Sequence, residues 1–436
     1  KSLLFHHTFQ LTLVFFFVYF FLQPNGNKHF QGENMKLAKL SLAAIVVAGL
    51  ASSSFAADTL ADAFKNGKVT GELKAYYFAN ENSTGDRDSI FNTGIMLNYK
   101  TDTLYGFAAN FTAQGNAAPF ADKGAKADYI GSEYGSGAVL SEAYLSYTLG
   151  KTTAMVGRMF LDTPLVSGSG SRITKEAFEG AAIINTDLPN TTLIAGYVQK
   201  FQSRTNGNGD VGKFTKTFAT GSSVGVGIDN GAYTLAAINK SVAGLTLTGA
   251  YAYADVFLSP TVLDGGLNIG YVEALYEGKA GSVGYVLGVQ DYYNKFQDSK
   301  TADDTINTFA VKAGLSFKGL NATVAYSQTS DDAVAGGAIV SGLGNGADLL
   351  YTDAVINSPG YTRDTKAYMA DLNYDVTSAL NLGARYVEAK DDFNNAKGSF
   401  TSVYGYYKCD VLKGLKLGWV EVIGVMVSAD RVQDWH

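Results

Sequence analysis

The chain has 436 residues, of which 46% are hydrophobic and 17% charged, with a formal net charge of −6 and a mean hydropathy of +0.01. A helical membrane protein needs several apolar runs of about 20 residues, and none occurs here; the acidic balance offers no basic surface to a nucleic acid. Cys409 is the single cysteine and His6, His7, His29 and His436 are the four histidines, which excludes an intrachain disulfide and leaves no basis for a cofactor, a zinc site or a His-dependent catalytic centre.

Residues 1–34 start with Lys and hold an apolar run at 11–22, too short to cross a bilayer comfortably as a helix. They read as upstream translation outside the native protein. Met35, Lys36 and Lys39, the apolar stretch 42–50 and the small-x-small site Ser54-Phe55-Ala56 form an export signal over 35–56, cut before Ala57. Cleavage there removes four Lys and one Glu and leaves the chain still more acidic. Residues 57–68 read as a periplasmic leader.

From Val69 onward, segments of roughly ten residues alternate apolar with small or polar side chains. In one of them Leu320, Ala322, Val324 and Tyr326 share one face while Asn321, Thr323, Ala325 and Ser327 share the other, so lipid can meet one side and water the other. Seventeen such strands are predicted, at 69–78, 90–100, 103–113, 140–149, 152–160, 178–185, 191–201, 232–240, 245–256, 267–278, 282–293, 308–318, 320–329, 366–376, 380–389, 401–409 and 415–420. Short and long connections alternate strictly between them. That parity suits a barrel with short periplasmic turns and long external loops, and a Greek-key sandwich has no reason to keep it. Pro119, Pro164, Pro189, Pro260 and Pro359 all fall between strands, as they must where both edges are paired. The expected fold is all-β: a transmembrane antiparallel up-and-down β-barrel over 69–420, of about 18 strands, with its closing strand not identified. The Gly- and Tyr-rich texture stops after Leu417, and 421–436 read as an aberrant or truncated tail.

Charge placement follows from cost, because a Lys or Arg facing lipid near the midplane is unfavourable by roughly 2–4 kcal/mol. Charges on the strands are therefore assigned to the lumen: Glu72, Lys74, Glu142, Lys312, Asp371, Arg385, Lys408 and Lys416, opposite apolar neighbours such as Leu73, Leu145, Leu315, Leu372 and Leu382. Aromatics near strand ends, among them Tyr76, Tyr99, Tyr251, Tyr292 and Tyr404, include candidates for interfacial girdles.

The most individual segment runs from Gly157 to Gly180 and contains the third long connection. Pro164, small residues at 167–171, Arg172, and Phe178 followed by Gly180 occur in the order found in the OprD family of Gram-negative outer-membrane porins, which the chain resembles here. The opening Gly71-Glu72-Leu73-Lys74-Ala75-Tyr76-Tyr77-Phe78 is similar to that family's first strand. The resemblance implies an eighteen-stranded barrel of the bacterial outer membrane, with a third loop folded inward and passage of small, often charged nutrients. Gly170, and Lys175-Glu176 in place of a Pro-Gln pair, depart from the family pattern, so no solute class carries over.

Read from the residues, Asp162, Arg172, Lys175 and Glu176 would line a constriction with opposed fields, and selectivity would come from pore width and rings of charge. The expected function is an outer-membrane porin, a passive channel for small polar solutes and not an enzyme, embedded in the lipid bilayer with lipopolysaccharide as monomer or homotrimer. The competing reading is a barrel-anchored surface binding or adhesion protein using loops 202–231 and 330–365. The latter, with Gly336, Gly337, Gly342, Gly344 and Gly346, is expected to be flexible.

Overall fold

The protein is described from a computed structural model covering residues 5–21, 57–81, 87–129, 134–220, 225–259, 263–297, 305–334, 337–347, 350–356, 360–409, 411–412 and 414–429. The export signal read at 35–56, Pro260, Pro359 and the end of the tail at 430–436 lie outside these residues. Strands β1 (Phe5–Phe21), β2 (Lys68–Glu81), β3 (Arg87–Lys100), β4 (Phe107–Ala117), β5 (Gly137–Leu149), β6 (Thr152–Met159), β7 (Ala177–Asn185) and β8 (Thr191–Gln202) come first. After the two-residue β9 (Phe214–Thr215) and β10 (Thr217–Phe218) follow β11 (Val226–Asn239), β12 (Leu245–Ser259), β13 (Leu263–Ala280), β14 (Val283–Phe296) and β15 (Thr305–Phe317). The series ends with β16 (Leu320–Thr329), β17 (Thr365–Asp375), β18 (Leu380–Asp391), β19 (Ala396–Lys408) and β20 (Lys416–Ala429).

All twenty lie in one sheet. Consecutive long strands pair antiparallel, β8 passes to β11, and β1 pairs with both β2 and β20, so the eighteen long strands close on themselves without an edge. Closure is what lets strands cross hydrocarbon, since every backbone N–H and C=O then has a partner in the wall. The seventeen strands read from the alternation correspond to β2–β8 and β11–β20.

The strand that completes the wall is β1, within the stretch assigned upstream of the protein. A run too short to span a bilayer as a helix is ample for a strand, which needs only about 9–11 residues. The last strand likewise differs from expectation: β20 runs on to Ala429 through residues read as tail, pairing with β19 over its whole length. Val420, Val422 and Gly424 face inward there, and Glu421 takes the outer face opposite Val403.

Alternation sets the two faces. On β4 Asn110, Thr112, Gln114 and Asn116 point inward and are buried, while Phe107 and Phe111 are exposed outward. Tight turns join one end of the barrel; at Lys318-Gly319 both residues have positive φ (48° and 84°), the geometry of a two-residue hairpin whose twist matches its strands. Outward aromatics form two belts, the lower including Tyr99, Tyr147, Tyr276 and Tyr374 and the upper including Tyr197, Tyr233, Tyr293, Tyr368 and Tyr386. Tyr197 and Tyr233 lie with ring centres 5.0 Å apart. Tyr76, Tyr292 and Tyr404, candidates for the girdles, instead point inward and are fully covered.

Candidate functional site in the barrel lumen

The charges assigned to the wall by cost sit on its inner face. On β2, Lys74 is buried 3.3 Å from Glu72 and donates to the Arg172 carbonyl at 3.5 Å. Glu142 accepts from Asn110 at 3.0 Å, from Thr112, and from the Phe160 amide at 3.2 Å, so a wall carboxylate fixes the start of the third long loop, 160–176. Across the barrel Arg385 Nε donates to Asp371 Oδ2 at 2.8 Å, and the Tyr404 hydroxyl donates to the same carboxylate at 3.0 Å. Lys312 lies 4.0 Å from the ring centre of Tyr351. Lys408 and Lys416 pair in register at the short-turn end.

The third loop does not stand alone inside the wall. The described residues of the seventh long loop, within 330–364, pack beside it, with Ile339, Leu343, Ala347, Leu350, Tyr351 and Tyr361 all buried. Val166 and Leu343 form a parallel bridge, with the Leu343 amide donating to the Leu165 carbonyl at 2.8 Å and the Ser167 amide to the Leu343 carbonyl at 3.0 Å. Glu176 is fully buried between them: its carboxylate accepts from the Ser169 amide (2.9 Å), the Asn345 amide (3.0 Å) and the Asn345 side chain (2.5 Å), with Arg204 at 3.6 Å. A buried charge held by that many donors is a fastening.

Wall side chains hold both loops from outside. Gln114 makes reciprocal bonds with the Lys175 backbone (2.8 and 2.9 Å) and Asn294 with that of Val340 (2.6 and 3.0 Å). The Tyr351 hydroxyl donates to Glu273 at 2.6 Å, and Arg385 donates to the Asp353 carbonyl at 3.1 Å. Glycine here serves close approach. A Cβ on Gly94 of β3 would collide with Ile173, and one on Gly346 would stand 2.6 Å from the Ser167 hydroxyl. The expected flexibility of the Gly-rich seventh loop is not what Gly342, Gly344 and Gly346 serve: they let two backbones touch, whereas a Cβ on Gly337 would meet nothing within 4 Å.

Of the four loop residues picked from sequence, Glu176 serves this fastening, Asp162 accepts from the Ser167 hydroxyl at 2.9 Å, and Arg172 lies 6.0 Å from the Tyr76 ring centre. Lys175 directs its ammonium over Phe160 at 4.6 Å; burial pulls its pKa below the ordinary lysine range, against the raising influence of Asp162 and Glu142.

No curated protein matches the chain. Its sequence matches the family model of the Campylobacter major outer membrane protein over residues 35–405. The chain belongs to that family. Its members are bacterial outer-membrane proteins, and the closed barrel described above is the porin type of that class. OccAB2 of Acinetobacter baumannii has a similar solved structure (TM-score 0.66, 17% identity, covering 84% of this chain and 98% of that one). So does OccK8 (OprE) of Pseudomonas aeruginosa, with TM-score 0.66, 14% identity and coverages of 84% and 98%. A third is OpdK of the same species, solved with vanillate, with TM-score 0.65, 13% identity and the same coverages. At such identities the likeness establishes the fold, and it bears out the OprD-type resemblance at that level.

Sequence reasoning missed Gln114, Arg204, Glu273, Asn345 and Tyr351. Gln114 was accessible, as part of a polar run with period two. Glu273 sits on β13, where alternation alone points it inward, but its partner Tyr351, like Arg204 and Asn345, depends on where a loop returns to the wall, for which no periodicity exists.

Proposed function

We propose that this member of the family is a passive diffusion channel for small hydrophilic or charged solutes, narrowed where the third and seventh long loops meet. The observation that carries the reading is the Glu176–Asn345 fastening, which joins the two loops on the inner side of a closed wall. Around them the lumen presents both signs of charge, with Lys74, Lys175, Arg172 and Lys312 against Glu72, Glu142, Asp162 and Glu273. A solute passing between such fields is sorted by size and charge, with no covalent step. The wall's belts support a bilayer setting in which the long-loop end meets lipopolysaccharide and the short turns face the periplasm.

The test is conductance of the refolded protein across a planar bilayer. Discrete ohmic steps, with a reversal potential set by the salt gradient, are the expected result. A folded barrel that stays electrically silent refutes the proposal.

A further inference from the structure

The outer face also carries charges that the alternation rule would have put inside, among them Glu421, Glu388 with Lys397, and a group on β6–β8. Arg158 on β6 shares the outward side with Val156, which is 60% exposed, and pairs across strands with Glu179 on β7. Between β7 and β8 the register shifts at Glu179/Gly180, so that Glu179 meets Lys200. The carboxylate is thereby shared: Arg158 Nε lies 2.9 Å from Oε2 and Lys200 Nζ 2.6 Å from Oε1. The cations expose 38% and 37% of their side chains and the carboxylate 24%, so positive charge faces outward. Among the described residues no hydrogen bond is made by the terminal nitrogens of Arg158, and its guanidinium carbon lies 4.5 Å from the ring centre of Phe214. Exposed Lys213 and Lys216 flank that Phe in sequence, and Lys216 lies 3.9 Å from Asp229.

Height matters as much as charge. Arg158 is one residue from the long-loop end of β6, and Lys200 lies three residues beyond Tyr197 of the upper belt. An aromatic belt marks the boundary between hydrocarbon and headgroups, which places the cluster at headgroup level. A lone guanidinium there could snorkel to water, but this one is held between Glu179 and Phe214 with its side chain partly exposed. A planar fork beside an ammonium suits a phosphate monoester.

We propose that Arg158 and Lys200 form a binding site for a phosphate of lipid A in the outer leaflet, with Glu179 as the shared counter-charge against which the phosphate competes. The inference rests on the membrane orientation given under the proposed function. The experiment is native mass spectrometry of the folded, detergent-solubilised full chain titrated with diphosphoryl lipid A and with its phosphate-free analogue. In the double variant R158Q/K200Q, affinity for the diphosphoryl form should fall about tenfold or more, with no change for the analogue. E179Q, which removes a competing anion, should bind the diphosphoryl form at least as well as the unaltered chain. Equal affinity of R158Q/K200Q and the unaltered protein overturns the site, as does a loss in E179Q matching that of the double variant. Bilayer conductance separates the two readings: a double variant that conducts normally but binds lipid A unchanged defeats the site alone, whereas an unaltered barrel that never conducts defeats the channel.

Discussion

Replacing Glu176 by Ala removes the acceptor for two backbone amides, the Asn345 side chain and the Arg204 guanidinium, all within 3.6 Å. Breaking a buried ion pair by deleting one partner costs about 3–5 kcal/mol. At about 1.4 kcal/mol per tenfold, the population with the third and seventh loops apart should rise by between about a hundredfold and a few thousandfold. The wall strands do not use Glu176, so the barrel itself should persist, seen as the usual shift in gel mobility between unheated and boiled samples. Single-channel recording should then show larger mean conductance and more open-channel noise. Asn345→Ala deletes one side-chain bond and keeps the Asn345 amide on Glu176, so its cost is about 1 kcal/mol and its noise intermediate. An E176A barrel that folds and conducts with the amplitude and quietness of the unaltered protein would refute the fastening, and N345A keeps the test open if E176A does not fold.

Four further outcomes are expected. Asp371→Asn leaves Arg385 without its carboxylate partner and adds net positive charge to the lumen, so the reversal potential in a salt gradient should move toward anion selectivity. Glu421→Val removes a carboxylate from the lipid face of β20; its cost there is below the roughly 2–4 kcal/mol of a basic residue, and thermal denaturation in lipid vesicles should show a modest rise in midpoint. Because burial lowers the pKa of Lys175, its ammonium is fully charged well below that value and loses its proton as pH rises through it. Selectivity should therefore drift toward cations at a lower pH than in K175R, as reversal potentials across a pH series would show. Finally, a chain beginning at Ala57 lacks β1, which pairs with both β2 and β20. Unpaired strand edges in hydrocarbon cost several kcal/mol per group, so residues 57–436 should refold without the heat-dependent mobility shift given by the whole chain; an equal shift would mean that β2 and β20 pair directly.

The wall was legible because two physical constraints repeat along it. Side chains alternate with period two, and a charge facing lipid is expensive, so Lys312 and Arg385 could be assigned inward from their neighbours alone. The same logic stops at a bulge: the register shift beside Glu179 and the position of Arg158 near the rim leave three charges outside, where water and headgroups relieve the cost. In the loops no period operates. Glu176 reads as a pore-lining carboxylate from its charge and its place near Arg172, yet its environment is set by Asn345, distant in sequence. Gly342, Gly344 and Gly346 looked flexible because sequence cannot distinguish glycine that frees a backbone from glycine that admits one.

Tucking the described residues of 339–356 against the inner wall also governs what can be touched from outside. Under the proposed orientation, an antibody or a phage tail approaching the cell would meet Asn206, Asn208, Asp210 and Lys213 of the fourth loop, which are exposed, while Leu343 and Tyr351 are screened by the strands around them. Under the proposed reading, the surface presented outward and the surface that narrows the lumen are built from different loops, so substitutions in the first need not alter the second.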